Sequence, residues 1–280
     1  MIKRKFSQVE LRRLQMIQLD LLTEFDRVCR KYDIKYVMDG GTMIGAVRHR
    51  GFIPWDDDID VAMLREDYEK LTKVTDEFNP DFCFFQDHTT DPEYRWGYGK
   101  LRRTGTSYVR LGQEHLMQKD GVFIDIFPFD DVPLSTLGQI IQDKYLFCLR
   151  KILWSEVGRK TTQGLWRLWF WLLSKIPHSW VFSLLDKISK RSNNSTPNRV
   201  RILMFPAFGL CGNKKRMPIH ERYGLSKRVF DNPREFIFEG KKFYGYSDYD
   251  TRLRMEYGDY MQLPPESERE PHLYVSSFKF

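Results

Sequence analysis

A chain of 280 residues with 41% apolar composition can bury a sizeable core, most simply as one elaborated domain, which excludes a disordered protein. The formal net charge of +7 suits an acidic partner (a nucleotide, an anionic polymer, a membrane surface or a nucleic acid) without choosing among them. Cys29, Cys83, Cys148 and Cys211 have neither the close pairs of a zinc site nor the density of a disulfide scaffold, so a reducing cytoplasm is expected.

The opening MIKRKFSQVELRRLQ carries charge where a secretory leader needs an apolar run, and no segment approaches the ~20 apolar residues of a spanning helix. From Gln8 to Tyr32 the apolar residues Leu14, Ile17, Leu21, Phe25, Val28 and Tyr32 fall on one helical face. Ser7 is a candidate N-cap, with Glu10 three residues on completing a capping box. A short strand, Tyr36 to Asp39, then ends on Gly40 and Gly41. Two adjacent glycines permit a tight turn and close approach to a ligand. Their amides, the Thr42 hydroxyl and a helical turn over Thr42 to Val47 make a candidate anion site. Arg48 is the next candidate, because a planar guanidinium matches phosphate oxygens.

Pro54 and Trp55 introduce Asp56-Asp57-Asp58-Ile59-Asp60-Val61-Ala62-Met63, where Ile59, Val61 and Met63 alternate with Asp58, Asp60 and Ala62. Period two predicts a strand with both carboxylates on one face. At about 3.3 Å per residue they stand roughly 6.5 to 7 Å apart. At an effective dielectric of 20 they repel by about 2 to 3 kcal/mol, which a hard divalent cation would relieve.

Arg65 to Phe78 reads as an exposed helix, and Phe82 to Gln86 and Tyr94 to Arg103 as strands, the second turning Lys100 and Arg102 to one side. In Gly121 to Asp130, Asp125 interrupts an apolar strand, where an unpaired carboxylate is costly, so it requires a partner. Asp130 and Asp131 read as turn residues. Between Lys144 and Lys175 seven Lys or Arg face one acid, Glu156, and Leu165 to Ile176 has an apolar arc too wide for a single core contact. Val181 to Ile188 resumes as a helix, and SNNSTP, Ser192 to Pro197, reads as a loop. Phe236 to Tyr244 reads as a hairpin turning at Glu239-Gly240, followed by a helix through Met255.

The run from Gly40 to Asp60, GG-T-x-x-G-A-x-R-H followed by G-F-I-P-W-D-D-D-I-D, resembles the LicD family, a branch of the nucleotidyltransferase superfamily that includes fukutin-related phosphotransferases. A K-L-R pattern at Lys100 to Arg102, a YGDYM-x-LPP element at Tyr257 to Pro265 and a downstream histidine, His272, extend the resemblance. It implies an α+β fold, a nucleotidyltransferase-like mixed sheet with flanking helices and an inserted helical segment. The expected layout is a catalytic core over residues 1–135, a helical, aromatic and basic insertion over 136–197, and a part completing the catalytic domain over 198–280. The resemblance also implies a third metal-binding carboxylate on the neighbouring strand, a place that Asp125 matches.

The implied activity is transfer of phosphocholine, or of glycerol or ribitol phosphate, from a CDP-alcohol such as CDP-choline to a hydroxyl of a cell-surface glycan, releasing CMP. That glycan is teichoic acid or a lipopolysaccharide precursor, carried on a lipid. Asp58, Asp60 and Asp125 are the expected catalytic and metal ligands for Mg2+ or Mn2+, with Asp56 beside them. Gly40, Gly41, Thr42, Arg48, Lys100, Arg102 and His272 are the expected donor-binding residues, and Asp259 joins His272 as a candidate to complete the site. Nucleic acid is not an expected partner. The aromatic, basic insertion suits the inner face of the cell membrane, with a homodimer interface as the alternative. Two other functions stay open, a nucleotidyltransferase using the same carboxylates and a non-catalytic glycan-binding protein.

Overall fold

The computed structural model describes residues 6–192, 198–206, 223–270 and 275–280. Helix α1, Gln8–Lys31, starts at the expected capping box: the Ser7 hydroxyl accepts the Glu10 N–H at 3.2 Å, and the Glu10 carboxylate accepts the Ser7 N–H at 2.9 Å. Its apolar face, including Leu14, Leu21, Phe25 and Val28, is buried. Strand β1 (Val37–Met38) leads into helix α2 (Gly40–Ile44), which continues as a π-helical turn, Gly45–His49.

Strand β2 is Asp60–Leu64, shorter than the expected alternation. Asp58 lies in the extended approach to the strand, outside the ladder. Helix α3 spans only Arg65–Leu71, and a separate 3-10 turn at Thr75–Glu77 takes up part of the longer helix the sequence suggested. Strands β3 (Cys83–Gln86), β4 (Gly99–Arg103), β5 (Ser107–Arg110) and β6 (Phe123–Asp131) follow. Every residue of β6 is buried, as befits the middle of a sheet. Asp130 and Asp131 belong to this strand, contrary to their reading as turn residues. Asp130 is stabilised there by a bidentate pair with Arg65, at 2.6 and 2.8 Å.

Four helices come next: α4 (Thr136–Leu153), α5 (Ser155–Thr161), α6 (Gly164–Leu173) and α7 (His178–Ser192). Two of them share a hydrophobic cluster separate from the main core, in which Leu146, Leu149 and Leu153 of α4 meet Val181, Phe182 and Leu185 of α7, with Leu203 from later in the chain. The chain returns to the sheet through β7 (Arg199–Arg201) and β8 (Leu225–Ser226). The hairpin β9 (Arg234–Phe238) and β10 (Lys241–Gly245) follows, turning at Glu239-Gly240 as the sequence predicted. Helix α8 (Tyr249–Tyr257) and strand β11 (Val275–Lys279) complete the described chain.

Among the described residues the main sheet has nine strands, in the order β3-β4-β6-β2-β1-β10-β9, with β7 on the far end of β6 and β8 on β7. It is mixed: β2 and β6 are parallel, while β4 and β6 are antiparallel. Strands β5 and β11 form a separate pair. Helices and a mixed sheet give the α+β fold expected from the sequence.

Candidate active site

Strand register builds the centre of the site. Asp60 on β2 and Asp125 on β6 are direct partners, and Lys100 on β4 is the partner of Asp125 from the other side. Three neighbouring strands, each about 4.8 Å from the next, therefore carry carboxylate, carboxylate and ammonium across the sheet. Asp56 and Asp58 approach from the loop before β2. The ligand oxygens of Asp56, Asp57 and Asp58 all lie within 4.8 Å of one another. The tightest carboxylate group thus includes Asp57, which the sequence did not single out.

The loop carrying these residues is held by α1. Gln15 donates to the Asp56 carbonyl at 2.9 Å, and Gln18 donates to the Asp57 carbonyl at 2.9 Å and to the Phe123 carbonyl at 3.2 Å. Both glutamines are buried, and their place within the leucine-rich face of the helix was the signal available in the sequence.

Gly40 and Gly41 leave room for the carboxylates. A Cβ on Gly41 would lie 2.7 Å from Asp56 Oδ2, and one on Gly40 would lie 3.2 Å from Asp60 Oδ2. Gly40 also has a positive φ of 54°. The buried Thr42 hydroxyl accepts the Asp60 N–H at 2.9 Å, fixing that residue at the head of its strand. Asp39, also unforeseen, is buried between Tyr246 and Arg252, whose donors reach it at 2.9 and 3.0 Å, and so ties α8 to the start of α2.

The acids divide by partner. Asp125 is paired with the buried Lys100 and stands 3.7 Å from Arg110, a cation the sequence reading missed. The Lys100 ammonium also lies 3.4 Å from the centroid of the Phe123 ring. Burial pulls the Lys100 pKa well below its ordinary range, while Asp125 opposes the fall. By contrast, no Lys or Arg pairs with Asp56 or Asp60 among the described residues. Burial first, then the charges of Asp58 and Asp57, pushes the Asp56 carboxyl well above the usual carboxylate range. Asp60 is pushed the same way by burial, then by Asp58 and Asp125. Asp56 and Asp57 are buried and Asp58 and Asp60 half-buried, and carboxylates grouped this closely are of the kind that a hard divalent cation suits.

Asp56, Asp58 and Asp60 line a cleft of about 660 Å³ together with Gly41, Arg48, Trp55, Tyr257, Asp259 and Tyr260. Arg48 reaches across it to donate to the carbonyls of Tyr260 and Gln262, bracing the segment after α8. On the far side of Asp125 a smaller cavity, about 70 Å³, is lined by Lys100, Arg102, Arg110 and Lys119 among others. Arg102 is buried, donating to Gln86 and, at 2.6 Å, to the Gly121 carbonyl. The buried Arg110 Nε and Tyr108 hydroxyl on this cavity have no hydrogen-bond partner among the described residues. His272 lies outside the described residues.

Residues 33–157 match the family model described as LicD/FKTN/FKRP, nucleotidyltransferase domain. The chain is 29% identical over 276 residues to the lipopolysaccharide cholinephosphotransferase LicD of Haemophilus influenzae, covering 95% of this chain and 97% of that one. It is also 40% identical over 58 residues to an uncharacterized protein of Rickettsia prowazekii, 21% of this chain and 22% of the relative. An uncharacterized protein of Rickettsia typhi is 33% identical over 75 residues, 27% of this chain and 24% of its own.

Proposed function

We propose that the chain is a phosphotransferase of the LicD family that transfers phosphocholine from CDP-choline to a hydroxyl of a lipid-linked surface glycan, a reading supported by the match of residues 33–157 to that family's nucleotidyltransferase domain and by the likeness to a cholinephosphotransferase over 95% of the chain. Teichoic acid and a lipopolysaccharide precursor are the acceptor classes. The observation that carries this reading is the grouping of Asp56, Asp58 and Asp60 on the wall of an open cleft, with Asp125 in register beside them.

In the proposed reaction the acceptor oxygen forms a bond to the β-phosphorus of the donor. The bond from that phosphorus to the bridging oxygen breaks, and CMP leaves with the bonding electrons. Asp58, partly open to the cleft, takes the acceptor proton on a carboxylate oxygen. Asp56, Asp58 and Asp60 would hold magnesium or manganese, which when bound neutralises phosphate charge and raises the nucleophilicity of the acceptor oxygen. The rest is positioning. Lys100 fixes the Asp125 carboxylate, and Arg110, with an uncommitted buried Nε, offers a donor to a phosphate oxygen.

Choline is favoured over glycerol or ribitol by the cleft's other wall. Trp55, Tyr257 and Tyr260 line it with Asp259 and Glu268, and the rings of Trp55 and Tyr260 already lie under the guanidinium groups of Arg269 and Arg254, so this wall joins aromatic rings and negative charge, the chemistry that receives a quaternary ammonium. Incubation with CDP-choline, CDP-glycerol and CDP-ribitol, a glycan acceptor and magnesium, followed by mass spectrometry, tests the reading. Release of CMP with phosphocholine on the glycan is expected. Retention of CMP on the acceptor would make the chain a nucleotidyltransferase, and exclusive use of a polyol donor would overturn the choline assignment.

A further inference from the structure

Helix α6 has the sequence GLWRLWFWLL, and of its side chains only Phe170 is buried. Phe170 packs against Trp154, with ring centroids 5.5 Å apart, and lies over Gly158, where a Cβ would come within 2.6 Å of the ring. The helix is therefore held to α5 through one edge. Leu165 is 84% exposed, Trp166 66%, and Leu168 and Leu172 each 54%, with Trp169 and Trp171 also in solvent. A contiguous apolar surface of this kind marks a contact with something outside the chain.

The surroundings identify that contact by charge. At the junction of α5 and α6 a cavity of about 320 Å³ is lined by Arg159, Lys160, Arg167, Leu168 and Trp171. Arg159 is paired with Glu156 at 2.5 Å, whereas Lys160 and Arg167 make no ion pair among the described residues. A second copy of the chain seated here would confront this basic cluster with its own, and protein interfaces exclude charge from their centres. An anionic bilayer supplies what both halves of the surface need, phosphate for the cations and an interfacial layer for tryptophan and leucine. No helix among the described residues is long and apolar enough to cross a membrane, so the contact is one of lying on the surface.

We propose that α6 is a membrane-docking helix that lies in the headgroup layer of an anionic bilayer, with the cavity between α5 and α6 receiving a lipid phosphate. Arg167 and Lys160 extend towards the headgroups while the leucines and tryptophans enter the acyl boundary. The surface would hold the enzyme where a lipid-linked acceptor resides, but its existence does not depend on which donor the active site uses.

Co-sedimentation of the full chain with vesicles tests this, using equal parts phosphatidylcholine and phosphatidylglycerol against phosphatidylcholine alone, at low and high salt. The wild type should pellet with the anionic vesicles and be released by salt. Lys160→Gln with Arg167→Gln should weaken binding about thirtyfold, the effect of removing two cations from near an anionic surface. Leu165→Ser with Trp166→Ser should weaken it on both vesicle types, and because all four positions are on the surface the variants should melt like the wild type. Wild-type protein that stays in the supernatant overturns the proposal. So does a dimer in light scattering that the Leu165→Ser and Trp166→Ser change dissociates without altering vesicle binding. Equal binding to both vesicle types overturns the phosphate site in the cavity.

Discussion

On the sheet, Asp56, Lys100, Arg102 and Asp125 are withdrawn from water, whereas α6 leaves Leu165, Trp166, Leu168 and Leu172 in it. Each arrangement is the reverse of what stability alone selects, since buried charge loses hydration and exposed hydrocarbon orders solvent. The two regions handle this differently. Asp125 receives Lys100 and Arg110 from the protein itself, so part of the buried charge is settled by folding. Asp56 and Asp60 receive no lysine or arginine among the described residues, and α6 buries only Phe170. For each we propose a partner from outside the chain, a metal ion with the donor phosphates for the acids and a bilayer for the helix.

The largest effect expected from breaking this arrangement is on turnover. Asp60→Asn and Asp58→Asn should each lower transfer by about a thousandfold or more, the scale of losing an essential charged group in a preorganised site. In EDTA, Asp60→Asn should melt no lower than the wild type, because the change removes repulsion and leaves the Thr42 contact to the Asp60 N–H in place. Undiminished wild-type turnover in excess EDTA would break the assignment.

Losses of stability come next. Lys100→Met removes one member of a buried pair and should cost about 3 kcal/mol in urea unfolding. Phe170→Ala should cost a similar amount, about 3 kcal/mol, by emptying the only buried position on α6. If Lys100→Met unfolds like the wild type, Asp125 does not depend on its protein cation and the contrast with Asp60 fails.

A smaller change follows from pH. The Asp56 and Asp60 carboxyls are raised by burial and by neighbouring acids, so the folded chain binds protons more tightly than the unfolded one. Their contribution is fully present below the ordinary carboxylate range, about pH 4, and is lost as pH rises through the elevated values. In EDTA the melting temperature of the wild type should therefore fall relative to Asp60→Asn as pH rises from the ordinary carboxylate range towards neutrality. Magnesium should reverse the difference by stabilising the ionised form. A difference independent of both pH and magnesium would show that Asp60 is neutralised by the protein.

Local signals were the legible ones. The capping box at Ser7 and Glu10, the apolar spacing of α1 and the turn at Glu239-Gly240 each depend on residues a few positions apart, and each appears where the sequence placed it. An aspartate inside an apolar strand announced that Asp125 needs a partner. It did not announce which one, because the pairing of Asp125 with Asp60 and Lys100 is set by strand order, which joins segments far apart in the chain. Glycine is ambiguous in another way. Gly40 and Gly41 reported that something comes close, and the nearest groups are the carboxylates of Asp60 and Asp56. Arg102 read as facing a donor phosphate, yet its bonds to Gln86 and the Gly121 carbonyl were invisible in a local alternation. Gln15 and Gln18 were passed over because a helical face was read for its apolar members alone.

The smallest expected effect is the most telling about α6. If its outer face were part of the folded core, Leu165→Ser would cost the 2 to 5 kcal/mol typical of truncating a buried leucine, roughly as Leu149→Ala should in the cluster between α4 and α7. With Leu165 at 84% exposure, the substitution removes almost no buried area, and the change should stay within about 0.5 kcal/mol in urea unfolding without vesicles. Anionic vesicles give the measurement its second arm. They should raise the melting temperature of the wild type, because a surface that binds only the folded chain stabilises it by mass action, and should raise that of Leu165→Ser less. A large loss without vesicles would place Leu165 in a protein contact, either within the chain or between two copies. A negligible loss that becomes measurable only when vesicles are present separates a docking face from a core face by energetics alone.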